Sequence, residues 1–320
     1  MDGHTIGVFG TDKEQKARFM ASIAKKSEVE GMIVYHHNEA GKRYSLLDDP
    51  QYPDRIQGYA RIASICDHAY FLLPKAGRLA PPDGELAVLL ESYGLPGTLE
   101  IIDGAAPPET ARAAFKGLRL ADYPVDERAG DSSIIDLTKI GPSPNAPPSG
   151  SLVYVDRAFS VKGVGTVVLG FILGGKVSVH DRLRAIPSSP EKMVEVRGIQ
   201  VNDEDYESAG AGIRVGLSLK GVDAKELDKV SWLDDGSFRL TDKLSFAFSR
   251  SPFYRQEIGD RDMHMQLPGE LATARISAAG SGLHCASLPT PVPVWQGMRT
   301  VVVDLNGKNL RIAGGGTASA

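Results

Sequence analysis

The chain has 320 residues, a formal net charge of −4 and only two cysteines. This length exceeds what one hydrophobic core usually serves, so we expect two or three domains. The sequence has no run of about 18 apolar residues and no basic N-terminal region followed by an apolar one, so we expect no membrane span, no secretory signal and a cytoplasmic location. Cys66 and Cys285 are far apart and form no C-x-x-C pattern, which disfavours structural zinc and predicts reduced core residues.

The first third of the chain alternates short apolar runs with longer helix-like stretches. In chain order these are strand 6–9, helix 13–26, strands 32–35 and 44–47, helix 54–66, strand 70–73, helix 84–93, strand 98–102 and helix 108–117. The alternation predicts an α/β domain with a mainly parallel sheet over residues 1–143. The loops at the carboxyl ends of the strands should then form any site.

A stretch rich in Pro and Gly at 141–150 separates this domain from the rest of the chain. It has no apolar periodicity, and its prolines predict an extended spacer. Short alternating runs separated by glycines follow it and predict two β-barrels, over residues 150–235 and 236–320. In the last segment we predict strands at 244–248, 263–267, 271–276 and 300–305, a Pro-rich connection at 289–293 and a frayed tail at 314–320.

The segment after the first strand partly matches a phosphate-binding loop. A working loop reads G-x-x-x-x-G-K-[ST]; here Gly10 and Lys16 are present, but Gln15 replaces the second glycine and Ala17 replaces the hydroxyl residue. That hydroxyl normally helps to hold Mg²⁺ beside the phosphates, and a side chain at position 15 crowds amides that must approach phosphate closely. Because a strand, a Gly and a helix occur in any α/β protein, this segment alone leaves both interpretations open.

The segment that follows the spacer resembles a known family. The run 155–170, which begins Val-Asp-Arg-Ala-Phe-Ser-Val, is followed in order by matching runs at 175–177, 180–183, 196–200 and 209–222. Together they resemble the second domain of translational GTPases of the elongation factor Tu and SelB type, and in particular archaeal SelB-like elongation factors. The resemblance implies a P-loop GTPase domain followed by two β-barrels, in agreement with the boundaries predicted from composition.

The resemblance also implies motifs in the first domain, and these are altered. The D-x-P-G-H motif falls on residues 48–52, where Asp48 remains but Tyr52 replaces the histidine that positions water. The first switch of the family needs a Thr, yet none occurs between Thr11 and Thr98. The guanine-reading motif falls on 103–106, with Ala106 in place of its closing aspartate.

Four motifs altered together predict a degenerate GTPase domain that has lost GTP hydrolysis, with no catalytic residue and no metal ligand. Gly10, Lys16 and Asp48 are the candidates for a vestigial nucleotide site. In the alternative interpretation Lys16 is a solvated side chain and Asp48 caps a helix or loop. No cofactor is expected, although GTP and Mg²⁺ stay open.

The resemblance further implies RNA contacts, because the family's second domain helps to hold the aminoacylated 3′ end of tRNA. Asp156 and Arg157 keep the motif's charged pair, and Arg197 is predicted on a facing strand. A guanidinium binds phosphate bidentately or pairs with a carboxylate, so these three residues are candidates for RNA binding or for an internal ion pair. The third segment is net positive, and it carries cations suited to tRNA-stem phosphates or to a solvated basic face, namely Arg250, Arg255, Arg261, Arg275, Arg299, Lys308 and Arg311.

These features favour a SelB-like elongation factor relative that has lost GTP hydrolysis and binds tRNA, the ribosome or another translation factor. The alternatives are an active GTP-binding elongation factor with atypical switch motifs and a protein-interaction scaffold subunit. His36 and His37 are adjacent on a predicted strand and point to opposite faces, which argues against a shared metal site. The sequence does not decide the oligomeric state.

Overall fold

The computed structural model describes residues 2–28, 31–74, 79–103, 107–128, 136–258, 262–280 and 282–319. Within these ranges the first domain is a seven-stranded sheet covered on both faces. Its strands are β1 (Gly3–Phe9), β2 (Lys25–Glu28), β3 (Ile33–Glu39), β4 (Lys42–Asp48), β5 (His68–Leu72), β6 (Gly97–Ile102) and β7 (Val125–Arg128). Its helices are α1 (Lys13–Ile23), α2 (Gln57–Ile65), α3 (Pro81–Tyr93) and α4 (Pro108–Ala114).

The sheet order in this domain is β2-β3-β4-β1-β5-β6-β7, and the strands from β4 to β7 are parallel. β2 and β3 add an antiparallel edge. On one face α1 packs Phe19 and Met20 onto Ile6 and Val8, and on the other face α2 and α3 pack around Phe9. The prediction of an α/β domain with a mainly parallel sheet is confirmed.

The second domain is an antiparallel barrel-like sheet. Its strands are β8 (Leu152–Val161), β9 (Gly165–Gly174), β10 (Lys176–Ser178), β11 (Arg182–Ile186), β12 (Lys192–Val201), β13 (Glu204–Tyr206), β14 (Ser208–Gly210), β15 (Arg214–Lys220) and β16 (Trp232–Asp234). The main sheet runs β11-β16-β8-β9-β15-β12-β13, and a pairing of β11 with β12 returns the sheet on itself. Alternate residues of these strands point inward, as the apolar alternation predicts.

The third domain is a closed six-stranded barrel in the order β17-β20-β19-β18-β21-β22. Its strands are β17 (Arg239–Arg250), β18 (Asp262–Gln266), β19 (Leu271–Gly280), β20 (Leu283–Val294), β21 (Arg299–Val303) and β22 (Ile312–Ser319). The predicted fold class, an α/β domain followed by two β-barrels, is therefore confirmed.

Two predictions for this last segment were wrong. The Pro-rich run lies inside β20, where the pairing with β17 shifts register between Thr241 and Lys243, and a proline is tolerated beside such a bulge. The tail is the strand β22 between β17 and β21 rather than a frayed end. A Cβ on Gly315 would lie 2.0 Å from the Ser92 carbonyl oxygen, so only glycine lets this strand approach the end of α3 so closely.

The segment 141–150 is a packed connection, which corrects the prediction of an extended spacer. Asn145 is buried; its Nδ2 donates to the Arg299 carbonyl at 3.2 Å, and its Oδ1 accepts from the Arg299 amide at 2.6 Å. Ser143 donates to the Cys66 carbonyl at 3.1 Å. The connection therefore ties the first domain to the third.

Candidate functional site

The segment that resembles a phosphate loop is a short turn and an ordinary helix start. Gly10 has φ +147°, and α1 already begins at Lys13, three residues before Lys16. Asp12 caps the helix by accepting from the Gln15 amide at 2.9 Å, and the Lys16 amide donates to the Asp12 carbonyl at 3.1 Å. A phosphate loop needs such amides to point at the anion, whereas here they serve the first turn of the helix.

The Lys16 side chain is buried within the protein. Its Nζ donates at 2.5 Å both to Asp48 Oδ1 and to the Tyr59 hydroxyl, and its side chain is 2% exposed. The Tyr59 hydroxyl also lies 2.6 Å from Asp48 Oδ1 and 3.1 Å from the Val8 carbonyl. Burial, and after it the Asp48 charge, raises the pKa of Tyr59, so this hydroxyl stays protonated. Lys16 and Asp48, the candidates for a vestigial nucleotide site, form a buried ion pair, so the alternative of a solvated Lys16 is wrong.

Gln15 connects the start of α1 to the chain that follows β5. Its side chain is buried, and Nε2 donates to the Leu73 carbonyl at 3.0 Å. Thr11 donates to Asp83 Oδ1 at 2.8 Å. Gln15 thus binds the segment that follows β5. A glycine at position 15, as in a phosphate loop, has no side chain that could make this contact.

The loop after β4 contacts both the start of α1, where Lys13 donates to the Pro50 carbonyl at 2.8 Å, and α3. Asp49 accepts from the Gln51 amide at 2.9 Å, while its other oxygen, Oδ2, has no hydrogen-bond partner among the described residues. Burial raises the pKa of Asp49. Tyr52, at the position of the family's histidine, directs its hydroxyl to the Pro82 carbonyl at 2.6 Å in α3.

The positions of the first switch and of the guanine-reading motif lie partly outside the described residues. Between α1 and β3 the chain carries the short edge strand β2, with residues 29 and 30 outside the described ranges. Asp103 follows β6 with φ 55°, and residues 104–106, which include Ala106, lie outside the described residues. The loss of guanine selectivity therefore stays a prediction.

A large cavity lies between the β2–β3 edge of the first domain and the second barrel. Its volume is about 1140 Å³. Four basic side chains line it, two from each domain: Lys25, Lys26, Arg197 and Arg214. Apolar side chains of the barrel face it as well: Phe159, Val161, Val167 and Leu169. Two carboxylates, Asp203 and Asp205, oppose the four cations, so the lining carries net positive charge.

A second cavity of about 600 Å³ lies between α2 and β8. It brings three guanidinium groups, of Arg55, Arg61 and Arg157, near two carboxylates, of Asp49 and Asp156. The unpartnered Oδ2 of Asp49 and the buried, unpartnered Nε of Arg61 both belong to this lining. Such a mixed set suits a ligand that carries a positive and a negative group close together.

The predicted RNA-binding residues are divided between the two cavities. Asp156 and Arg157 line the smaller cavity, and Arg197 lines the larger one. Arg197 is exposed and donates to the Val164 carbonyl at 3.2 Å, at the turn between β8 and β9. Arg197 lies on β12, which β9 and β15 separate from β8 in the sheet, and RNA contact by these three residues stays a prediction.

Three of the cations predicted to contact RNA stems in the third domain are used inside the protein. Arg311 pairs with Glu85, and Arg299 donates to the Tyr93 carbonyl at 2.6 Å. Arg250 donates to the Tyr254 carbonyl at 2.9 Å. Arg261 lies outside the described residues. For Arg299 and Arg311, the contacts with the first domain correct the prediction of a phosphate-binding face.

The first-domain residues that line both cavities were not predicted from the sequence. Lys25 and Lys26 lie on an edge strand that was predicted as the end of α1, and their adjacency was the available signal. Asp49 and Arg61 join Asp156 and Arg157 only through the packing of two domains, for which the sequence carries no local signal.

The described part of the chain contains no helix long and apolar enough to cross a membrane. In the same residues no group of three or more His, Cys, Asp or Glu is placed to hold a metal ion. His36 Nδ1 lies 3.2 Å from the Ser45 hydroxyl, and His37 Nε2 lies 3.9 Å from Glu39 Oε2, so the two rings have different neighbours.

Comparison with known proteins places the second domain in a family. Residues 165–231 match the family described as elongation factor Tu domain 2. An uncharacterized protein of Methanocaldococcus jannaschii is 27% identical over 84% of each chain. The selenocysteine-specific elongation factors of M. jannaschii and Escherichia coli are 44% and 28% identical over 28% and 48% of this chain. Those two matches span only 19% and 25% of the length of the relatives.

The fold of the whole chain has solved counterparts. The elongation factor SelB of Methanococcus maripaludis, in complex with the GTP analogue GppNHp, superposes with a TM-score of 0.80 at 21% identity and covers 100% of this chain and 80% of its own. A bacterial selenocysteine-specific elongation factor gives a TM-score of 0.81 at 18% identity, covering 99% of this chain and 58% of its own. The second domain is thus similar in sequence to translational GTPases of the SelB and elongation factor Tu family, and the whole chain shares the three-domain fold of SelB.

Proposed function

We propose that this protein is a translation factor of the SelB-like type that works without a nucleotide and binds the 3′ end of tRNA. Its relation to SelB factors supports a role in translation. The observation that carries the loss of nucleotide is the buried contact of Lys16 with Asp48 and Tyr59. The two cavities between the first and second domains carry the proposal for RNA.

Nucleotide binding would have to break this buried contact. To reach a phosphate, Lys16 would leave Asp48, whose side chain is 7% exposed, as an unpaired charge. Removing one partner of a buried pair costs about 3–5 kcal/mol, which opposes any gain from the phosphate. Four carboxylates, of Asp12, Asp48, Asp49 and Asp83, lie near the start of α1 against the two ammonium groups of Lys13 and Lys16, so the local charge disfavours an anion.

The larger cavity suits a nucleotide at the end of a single strand. Its apolar barrel side chains offer a surface on which a base can pack, and its four basic side chains offer phosphate contacts. The lining carries net positive charge although the chain as a whole is acidic. Recognition of this kind needs no reading of the RNA sequence.

The smaller cavity is placed to receive what the RNA end carries. Asp156 and Arg157 precede Phe159 and Val161 on the same strand β8, and a strand advances about 3.3 Å per residue. The two cavities therefore follow one another at a spacing of roughly 10 Å, about the reach of one nucleotide and its attached group. An aminoacyl ester carries a positive amino group, for which the carboxylates of Asp49 and Asp156 are suited partners.

The test is a titration of the purified protein with fluorescent tRNA at several salt concentrations, with and without GTP and Mg²⁺. We expect affinity that falls with salt, does not respond to GTP, and is weaker for tRNA that lacks its last nucleotide. Lys26→Ala and Arg197→Ala should each weaken binding and reduce the salt slope by about 1. Lys229→Ala is the matched control, because this exposed lysine of the second domain lines neither cavity.

Equal affinity for intact and shortened tRNA would refute binding at the 3′ end. Tighter tRNA binding with GTP and Mg²⁺ would instead favour an active GTP-binding factor. Failure of the RNA titration alone would leave the assignment of Lys16 as a structural residue intact.

A further inference from the structure

We infer that the first and third domains form one permanently closed unit, in which Arg311 clamps the loop after β4 to the third barrel without any ligand. This closed conformation does not depend on what the cavities bind. Contacts of Arg311, a second set of contacts around Arg299 and a core that both domains share hold the two domains together.

Arg311 immediately precedes β22 and reaches across to α3. Its amide donates to Glu85 Oε1 at 2.8 Å, and its guanidinium donates to both carboxylate oxygens, Nε to Oε1 at 3.0 Å and Nη2 to Oε2 at 2.5 Å. The two side chains are only 16% and 7% exposed. A bidentate pair held this far from water has a fixed geometry.

The same guanidinium holds the loop that follows β4. Nη1 donates to the Asp54 carbonyl at 3.1 Å, and Nη2 donates to the Pro53 carbonyl at 2.9 Å. The guanidinium carbon lies 5.8 Å from the centre of the Tyr52 ring. The Tyr52 hydroxyl bonds to α3 in turn, so helix, loop and barrel meet at one cation.

A second set of contacts lies at the other end of α3. Arg299 donates to the carbonyls of Tyr93 and Gly94 at 2.6 and 2.8 Å, and the Tyr93 hydroxyl donates to the Gln266 carbonyl at 3.2 Å. Burial lowers the pKa of Arg299, and the neighbouring Arg119 charge adds to this effect. Contacts at both ends prevent α3 from pivoting on the barrel.

Between these ends the two domains share one hydrophobic core. Leu86, Leu89 and Leu90 of α3 belong to the same buried cluster as Val302 and Ile312 of the barrel. Separation of the domains would expose this surface to water, and interfaces that resemble a domain core do not open readily. A loop fixed in this way cannot report the arrival or loss of a phosphate.

Hydrogen–deuterium exchange of the intact protein tests this inference. In the wild type we expect slow exchange over residues 51–56, unchanged by GTP and Mg²⁺. Arg311→Gln should speed exchange there by at least tenfold, while amides of the second barrel stay as protected as before. Arg275→Gln is the matched control, because Arg275 lies in the same barrel and faces Asp262 across an exposed 3.7 Å pair.

Arg311→Lys keeps the positive charge but loses the bidentate geometry, so it tests the clamp even where Arg311→Gln does not fold. Faster exchange of residues 51–56 in this variant supports the inference. Fast exchange of the loop in the wild type, or equal exchange in Arg311→Lys and Arg275→Gln, would overturn it. So would a change in the loop's protection on addition of GTP and Mg²⁺.

Discussion

Lys16→Met is the substitution that separates a structural lysine from a nucleotide-binding one. The change keeps an unbranched side chain and removes the ammonium group, so Asp48 is left buried beside Tyr59 without its cation. Removal of one partner of a buried pair costs about 3–5 kcal/mol. That is a large share of the about 5–15 kcal/mol by which a typical protein is stable.

The assay is unfolding in urea, followed by circular dichroism and intrinsic fluorescence. Lys13→Met is the matched control, because Lys13 lies on the same helix and is exposed, with one hydrogen bond to the Pro50 carbonyl. We expect the control to cost less than about 1 kcal/mol. Adding Asp48→Asn to Lys16→Met should recover part of the loss, because the amide is neutral and still accepts from Tyr59. If Lys16→Met is as stable as Lys13→Met, the argument for a structural lysine is wrong.

The remaining predictions concern stability. Burial, and after it the His4 charge, lowers the pKa of His68 from 6.5 to about 4, so the unfolded chain takes up a proton there first as the pH falls between these values. Protonation of His68 should therefore lower the free energy of unfolding by about 3 kcal/mol as the pH falls across that range. In acid titrations, His68→Gln should lose less stability than the wild type by this amount. Gly315→Ala should destabilise by at least about 2 kcal/mol in thermal melts, because its Cβ would meet the Ser92 carbonyl. Gly84→Ala, in α3, should stabilise the protein by about 0.5–1 kcal/mol, because the new Cβ meets open space. If both substitutions changed the stability in the same direction, the packing described would be contradicted.

The architecture could be predicted because local sequence patterns indicate it. The alternation of apolar runs and helices gave the α/β domain, and glycine-separated alternating runs gave the barrels. The tail was predicted to fray because the last residues of a chain are usually poorly ordered. In the structure, Gly315 is needed where the strand meets Ser92, and that contact lies more than two hundred residues away along the chain.

The partners of the candidate site residues could not be predicted from the sequence. The altered motif around Gln15 predicts the loss of phosphate binding, but it does not indicate which residue Lys16 contacts instead. Tyr59 reaches Lys16 because α2 packs across the sheet, and a tyrosine in a helix carries no sign of that role. The two cavities likewise depend on how the second barrel docks on the β2–β3 edge.

The melting temperature of the purified protein with and without GTP and Mg²⁺ tests most directly whether the protein works without a nucleotide. A ligand that binds only the folded state at about 100 times its dissociation constant adds about 2.7 kcal/mol of stability, so micromolar binding would be evident at sub-millimolar GTP. We expect no shift, because Lys16 is already bound to Asp48 and Tyr59. A rise of several degrees that requires Mg²⁺ and disappears in Lys16→Met would contradict this expectation.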